Sequence, residues 1–282
     1  MLELIEDALG DPRNARALAV ASDLAYYAEA EAAPQFRDQL GLEARLISVG
    51  NTQVYVAQND KHLVVAFRGT EAPNTIDGLK DCLLTDALNL LMVPEGRLGT
   101  DFAAAGVGAR FHKGFIAALA SVWDPLLAGV EAEQKRAERP LWVTGHSLGG
   151  ALALLAAWLF HRKFLAVHQV YTFGAPMIGN QAATQAFDRE FEGKIFRYVN
   201  PTDPVPKLPT VSLLANDYGH CLKEMLLGAA VAEAVAGAAP AAGGPLAPAH
   251  IEELWQSAQQ RVAAHSLAHY RELIAKLFEG QS

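Results

Sequence analysis

The sequence predicts an α/β fold in which a mostly parallel central sheet is flanked by helices. Strand-like and helical segments alternate along residues 141–199, which is typical of parallel βαβ units. The 282 residues, of which 51% are hydrophobic and 19% charged, are enough for one large core and too few for two domains of that size. We therefore expect a single domain over residues 1–282, with insertions at about 71–110 and 222–250.

The charge balance and the cysteines exclude several kinds of protein. The chain has 31 acidic and 23 basic residues, a net charge of −8, and no run of Lys or Arg longer than two. A surface that follows nucleic-acid phosphates is not expected, and neither is electrostatic attachment to anionic lipid. Cys82 and Cys221 lack the spacing of a zinc knuckle or a redox pair, which leaves open a single bridge between them.

Two features of the sequence bear on targeting. The first seven residues are acidic where a signal peptide has a basic leader, and this predicts a cytoplasmic location. The longest apolar tract, residues 225–239, contains Glu233 and stops at Pro240, so it falls short of the roughly 20 residues that span a bilayer. No transmembrane segment is expected.

The first part of the chain predicts a helix followed by antiparallel strands. Apolar residues recur at helical spacing over residues 15–27, which indicates a helix packed on a core. Residues 45–57 have the pattern of two strands around Gly50-Asn51, a pair that favours a two-residue hairpin turn. Residues 62–67 are a third, more apolar strand, so the sheet is expected to open with an antiparallel part.

The rest of the chain alternates between segments with the strand pattern and segments with the helix pattern. The predicted strands are residues 141–144, 167–173 and 194–199, and the predicted helices are residues 115–135, 147–160, 181–191 and 266–278. Parallel strands connected in this way end at the same edge of a sheet, which is where such folds place functional side chains.

The strongest motif is Gly145-His146-Ser147-Leu148-Gly149, which lies between a predicted strand and a predicted helix. A serine on such a turn sits on strained backbone, and the flanking glycines let strand and helix approach each other. The start of the helix favours developing negative charge, and the Leu148 amide can point at a tetrahedral oxyanion. The alternative is a glycine-rich turn with an incidental serine, but the flanking elements favour a nucleophile.

A serine nucleophile needs a base, and the base needs a carboxylate that orients it. In α/β-hydrolases the order along the chain is serine, acid, histidine. Asp203 follows the predicted strand 194–199 at its carboxyl end, although aspartate is also common in proline-rich turns such as this one. We therefore predict Asp203 as the acid.

Four histidines follow Asp203, namely His220, His250, His265 and His269. His265 directly precedes the last predicted helix and is free to reach the sheet edge, whereas His269 lies within that helix and away from its apolar face. His265 is therefore predicted as the base and His269 as a solvated residue. Their spacing also suits zinc, but the glutamate of His-Glu-x-x-His and a third ligand are missing, so neither a metal nor a cofactor is expected.

Six segments together are specific for a known family: residues 62–70, 111–115, 143–150, 172–180, 197–206 and 265–270. On them the chain resembles the class 3 lipase family, the fungal-lipase-like branch of the α/β-hydrolases. The resemblance implies the α/β-hydrolase fold and a catalytic triad of Ser147, Asp203 and His265. It also implies an oxyanion hole formed by the Leu148 amide and by Thr70, through both its amide and its hydroxyl.

Some nearby residues are expected to lie outside the triad. His112 and His220 match family positions that support packing around the site, and Arg68 is expected in a structural ion pair. The chain departs from the family at Asp77-Gly78-Leu79, where the family commonly has a tryptophan, and this changes how a lid would pack.

Two segments are candidates for a lid over the site. Residues 79–93 hold eight large apolar side chains interleaved with polar ones, which would give a helix one apolar side, although an ordinary core helix has the same pattern. Residues 225–249 are richer in Ala, Gly and Pro and less amphipathic. A lid predicts that activity on an emulsified ester rises more than in proportion once the ester exceeds its solubility. Shortening residues 83–93 should change this response more than deleting residues 228–247.

These residues predict a serine carboxylic-ester hydrolase that acts through an acyl-enzyme, and the resemblance implies a triacylglycerol lipase or carboxylesterase with an ester or lipid substrate. The substrate can lie at a lipid–water interface. Phospholipase A1 and aryl or short-chain esterases use the same triad and stay open as alternatives, because the pocket decides substrate choice. A hydrolase fold without turnover that acts as a binding protein is a further alternative, and the oligomeric state is open.

Overall fold

A central β-sheet with helices on both faces is the framework of the molecule. The structure is a computed structural model, and it describes residues 1–70, 91–207, 218–228 and 262–279. Its strands are β1 (Glu43–Val49), β2 (Thr52–Gln58), β3 (Leu63–Phe67), β4 (Leu91–Met92), β5 (Phe111–His112), β6 (Leu141–His146), β7 (Val167–Phe173), β8 (Gly179–Asn180), β9 (Ile195–Val199), β10 (Tyr218–Gly219) and β11 (Lys223–Leu226).

The main sheet, as far as the described residues show it, has the strand order β1-β2-β3-β6-β7-β9-β11. β1 pairs antiparallel with β2, and β2 with β3, and Gly50 at the first turn has a φ of 56°, which suits glycine. The pairs β3·β6, β6·β7, β7·β9 and β9·β11 are parallel. The predicted mostly parallel sheet with an antiparallel opening is confirmed, and its parallel strands end at one edge.

Helices cover both faces of the sheet, as a buried parallel sheet requires. Those that the structure describes are α1 (Pro12–Leu24), α2 (Glu29–Leu40), α3 (Gly99–Ala103), α4 (Lys113–Arg136), α5 (Leu148–Arg162), α6 (Gln181–Glu190), α7 (Val262–His265) and α8 (Leu267–Glu279). α1, α2 and α8 pack on one face around Tyr171 and Tyr198. α4, α5 and α6 pack on the other face around Trp123 and Trp158.

α5, the helix that follows Ser147, is buried along almost its whole length. Every residue from Gly149 to Phe160 is inaccessible to solvent or nearly so. Burying a leucine side chain such as Leu155 stabilises the fold by about 2 kcal/mol. The start of α5 is therefore held in a fixed place at the sheet edge.

A second, small sheet goes beyond what the sequence predicts. Its two-residue strands pair antiparallel in the order β10-β8-β5-β4, and strands this short leave no periodic signal. Residues 91–110, from the predicted first insertion, also place Phe102 in the core. The other parts of the two predicted insertions, residues 71–90 and 229–250, lie outside the described residues.

α2 is absent from the sequence-based expectations. It carries Pro34 in its interior, where proline removes a backbone donor and usually ends a helix. Ala32, Phe36 and Leu40 nevertheless pack into the core, and Gly41 in the left-handed conformation ends the helix. Burial of one face outweighs the local preference.

Among the described helices, α4 is long and apolar enough by composition to cross a membrane. It turns Leu119, Trp123 and Leu126 into the core and packs against β1 and β2. Its apolar face is thus used within the fold.

Candidate active site

The turn between β6 and α5 holds Ser147 in a strained conformation. Its φ and ψ are 58° and −131°, a combination that non-glycine residues rarely adopt. Ser147 N–H donates to Phe173 O on β7 (2.9 Å), and Gly150 N–H donates to Ser147 O (2.9 Å). These bonds keep the serine at the edge where the parallel strands end.

Glycine is required on both sides of this serine because the strand and the helix touch. A Cβ on Gly145 would lie 2.2 Å from Gly149 O, and a Cβ on Gly149 would lie 2.4 Å from Phe67 O. Both contacts would be with rigid backbone. The Gly-x-Ser-x-Gly pattern therefore follows from the close approach of β3, β6 and α5.

Three residues that are distant in the sequence meet at this edge. His265 Nε2 lies 2.8 Å from Ser147 Oγ, and His265 Nδ1 lies 2.8 Å from Asp203 Oδ2. An ionised carboxylate only accepts, so Nδ1 carries the proton and Nε2 accepts from the serine hydroxyl. The structure thus brings together the serine, the acid and the base that the sequence suggests, and each is at most 5% exposed.

Asp203 is fully buried, and several donors compensate for its charge. Besides His265, the Tyr270 hydroxyl donates to Oδ2 (2.7 Å) and Val205 N–H donates to Oδ1 (2.9 Å). Tyr270 itself accepts from Asn200 N–H (3.1 Å). Burial and the adjacent Asp203 raise the pKa of Tyr270 well above its usual value, so its hydroxyl remains a donor.

Two groups next to Ser147 are suited to bind an oxyanion. Leu148 is the first residue of α5, and the first amide of a helix has no acceptor within the helix. Thr70 follows β3, the neighbour of β6 in the sheet, and its buried hydroxyl has no hydrogen-bond partner among the described residues. An unpaired buried hydroxyl is costly, which is consistent with a donor kept for a substrate oxygen.

The other histidines considered in the sequence lie outside this trio. His112 caps α4, and burial lowers its pKa to about 3. His220 donates to a backbone carbonyl, and burial together with Arg197 lowers its pKa to about 3. His269 is a partly exposed residue of α8, in keeping with a solvated side chain. His250 lies outside the described residues.

Two further polar side chains, those of Arg68 and Cys221, are buried within the fold. Arg68 donates to Asn51 O (2.9 Å) in the β1–β2 turn. Cys221 is buried and forms no disulfide with a described residue, and burial raises the pKa of its thiol to about 12. In the described part of the chain, no group of three His, Cys, Asp or Glu side chains is placed to hold a metal ion.

The predicted lids fall mostly on residues that the structure does not describe. Residues 79–90 of the first and 229–249 of the second lie outside the described ranges, as does Cys82. The remaining residues of these segments include β4 and part of β11.

Sequence reasoning misses two tyrosines beside the site. Tyr270 shares the apolar face of α8 and so has the pattern of a core residue, and Tyr26, which contacts His146, follows α1 far from every motif. The signal that could find them is chemical, because a buried tyrosine hydroxyl needs a polar partner.

The fold, together with the Gly-x-Ser-x-Gly turn between β6 and α5, is that of the α/β-hydrolases. The sequence signature of the family described as Lipase (class 3) matches residues 64–213, which is more than half of the chain. The chain belongs to the class 3 lipase family.

Two relatives show the range of proteins to which the chain is similar. A secreted mono- and diacylglycerol lipase of Gibberella zeae is 27% identical over 176 residues, which cover 61% of this chain and 52% of the relative. A chloroplastic phospholipase A(1) of Arabidopsis thaliana is 30% identical over 162 residues, which cover 54% of this chain and 35% of the relative. The alignments therefore cover about half of the first relative and less of the second.

Solved structures confirm the fold. The triacylglyceride lipase of Rhizomucor miehei superposes with a TM-score of 0.61 at 24% identity, covering 78% of this chain and 82% of the lipase. A lipase from Rhizopus microsporus superposes with a TM-score of 0.57 at 25% identity, covering 75% and 72%.

Proposed function

We propose that this chain is a serine carboxylic-ester hydrolase that works through an acyl-enzyme. The observation that carries the proposal is the hydrogen-bonded chain from Ser147 Oγ through His265 to Asp203, with both links at 2.8 Å. Nucleophilic acyl transfer needs a nucleophile, a base and a group that orients the base, in this order of contact.

Acylation uses the serine and the base. His265 Nε2 takes the proton from Ser147 Oγ as that oxygen bonds to the acyl carbon of the ester. The carbonyl electron pair moves onto the oxygen, which accepts hydrogen bonds from the Leu148 amide and from Thr70. When the bond to the alcohol breaks, His265 gives the same proton to the leaving oxygen.

Deacylation repeats these steps with water. His265 takes a proton from a water molecule whose oxygen bonds to the acyl carbon, and the acid leaves as Ser147 Oγ regains a proton. Asp203 stays ionised and stabilises the positive charge on the imidazolium in both halves of the reaction. Its bonds to Tyr270 and Val205 keep the carboxylate facing His265 Nδ1.

The comparisons support an ester or lipid substrate. The relatives carry the names mono- and diacylglycerol lipase and phospholipase A(1). One solved neighbour, at 23% identity and a TM-score of 0.57, is described as a triacylglycerol lipase with a serine protease triad as its catalytic centre. These names belong to those proteins, and for this chain they favour a triacylglycerol lipase or carboxylesterase.

The test uses a soluble p-nitrophenyl acyl ester and a fluorophosphonate label. The wild-type chain should turn over the ester and take the label on Ser147, whereas Ser147→Ala should do neither while keeping its circular dichroism spectrum. His265→Ala should lose about 10⁴-fold in kcat, and the matched control His269→Ala should stay within about twofold of wild type. A wild-type chain that takes no label would contradict the proposal and favour a binding protein.

A second candidate function is that of a phospholipase A1, which the Arabidopsis relative favours. The net charge of −8 opposes it for anionic phospholipid surfaces. A series of triacylglycerols of increasing chain length, phosphatidylcholine and an aryl acetate separates the possibilities. The highest kcat/KM on a triacylglycerol supports the lipase, release of fatty acid mainly from phosphatidylcholine supports the phospholipase, and activity confined to the aryl acetate indicates a short-chain esterase.

A further inference from the structure

A second chain of buried polar groups contacts the catalytic trio. His146 Nε2 lies 2.7 Å from His265 O, and His146 Nδ1 lies 2.8 Å from the Tyr26 hydroxyl. The His146 and His265 ring centroids are 4.6 Å apart. A Cβ on Gly69, the residue before Thr70, would lie 2.1 Å from the Tyr26 oxygen, so this hydroxyl lies against the backbone there. These polar groups connect His146 and the backbone beside Thr70 to the base.

The hydrogen bonds decide which nitrogen of His146 carries the proton. A carbonyl oxygen only accepts, so the bond to His265 O requires a proton on Nε2. The residue is 2% exposed, and burial together with nearby His265 lowers the pKa of His146 well below its usual value, so the ring holds a single proton. Nδ1 is then an acceptor, and the Tyr26 hydroxyl must be the donor.

Tyr26 reaches the site from the turn after α1, a part of the chain that the family signature at residues 64–213 does not include. Hydrogen bonds hold this turn and α1 in place. The Tyr55 hydroxyl donates to Tyr27 O (2.8 Å), and Ser22 Oγ lies 2.9 Å from Thr144 Oγ1 on β6. The turn is therefore fixed against the strand that leads to Ser147.

The base has little support from its own element. α7 is four residues long, and a single helical turn is not stable by itself. Two side chains from elsewhere bind its carbonyls: Asn200 Nδ2 donates to Ala264 O (2.9 Å), and His146 donates to His265 O. The bond from His146 is thus one of the contacts that decide where the His265 ring lies.

We infer that Tyr26 and His146 are positioning residues for the base of this hydrolase, an inference that rests on the proposed function. The Tyr26 hydroxyl selects the Nε2–H form of His146, and His146 then holds the backbone carbonyl of His265. This keeps His265 Nε2 at hydrogen-bonding distance from Ser147 Oγ while the ring gains and loses its proton. A neutral His146 also places no second positive charge beside the imidazolium.

The test begins with Tyr26→Phe, which removes one oxygen and keeps the ring. On a soluble ester, kcat should fall about tenfold while KM stays within about twofold, because the base moves and the substrate pocket does not. His146→Leu should lower kcat about 100-fold, and adding Tyr26→Phe to it should have no further effect, because the tyrosine acts through the histidine. His146→Gln, whose amide can replace the Nε2–H donor, should recover most of the activity.

Tyr171→Phe is the matched control. It removes a buried tyrosine hydroxyl that donates to Gln169 Oε1 (2.9 Å) and has no part in the bonds to His146, so it should lower Tm and leave kcat unchanged. Tyr26→Phe alone decides the matter if His146→Leu does not fold: a change in Tm with kcat unaltered overturns the inference. Effects of Tyr26→Phe and His146→Leu that multiply in kcat also overturn it.

The outcomes separate this inference from the proposed function. A wild-type chain that neither hydrolyses the ester nor takes the fluorophosphonate contradicts both. An active wild-type chain whose kcat is unaffected by Tyr26→Phe contradicts the positioning role alone.

Discussion

Ser147 has a backbone conformation that the surrounding packing enforces. Its φ of 58° costs on the order of 1–3 kcal/mol for a residue with a side chain. Two backbone hydrogen bonds and the buried helix α5 offset that cost. The strain keeps the hydroxyl at the sheet edge, where His265 meets it.

The hydroxyl of Tyr270 is expected to matter for catalysis, because it donates to the carboxylate of Asp203. Tyr270→Phe removes a donor from the buried carboxylate of Asp203 and leaves Asn200 N–H without its acceptor. We expect kcat on a soluble ester to fall about tenfold with little change in KM, because the carboxylate is less firmly oriented. Steady-state kinetics of the variant measure this, and an unchanged kcat would show that Val205 and His265 orient Asp203 sufficiently.

The lowered pKa of buried His112 should make the stability of the fold depend on pH. Its pKa is lowered to about 3 in the folded chain, against about 6.5 in the unfolded chain. Below about pH 6.5 the unfolded chain binds a proton that the folded chain does not, so this contribution to the free energy of unfolding falls as the pH falls. The slope approaches about 1.4 kcal/mol per pH unit between pH 5 and pH 4.

Urea unfolding of wild type and His112→Asn at pH 7, 6, 5 and 4 tests this. Asparagine can still cap α4 but does not titrate, so the free energy of unfolding of the variant should depend less steeply on pH. Equal slopes for the two proteins would mean that His112 is not held neutral by the fold.

At the scale of elements, β3, β6 and α5 are packed so closely that no further side-chain atom fits between them. Gly149→Ala would place a Cβ 2.4 Å from Phe67 O, so we expect the free energy of unfolding to fall by about 3 kcal/mol or more. Gly193→Ala is the control, since Gly193 has a φ of 72° but a Cβ added there would meet no described atom within 4 Å. It should cost only about 1 kcal/mol. Similar losses in urea unfolding would show that the backbone at Gly149 can move apart.

At the scale of the whole molecule, the site depends on every layer of the fold. The serine lies after β6, the acid after β9 and the base in α7, while Tyr26 comes from the other end of the chain. Because these residues come from distant parts of the chain, unfolding of the core should separate them and abolish the activity.

We therefore expect ester hydrolysis and tryptophan fluorescence to disappear at the same urea concentration. Trp123, Trp142 and Trp158 are buried in the core and report its unfolding. Activity that disappears at a clearly lower concentration, with fluorescence unchanged, would indicate that the segment carrying His265 detaches before the core opens.

The sequence by itself determined the alternating strands and helices and the turn that carries Ser147, and it singled out Asp203 and His265, which the structure places in contact with that serine or with each other. These features are local: periodic apolar residues, glycines at a turn, and polar residues directly after predicted strands or before a helix. Only the tertiary structure decided that α2 forms despite Pro34, that two-residue strands build a second sheet, and that Tyr26 and Tyr270 bind the polar groups of the site. Those features depend on burial and on hydrogen bonds between residues far apart in the chain, and a pattern along the sequence carries no record of such contacts.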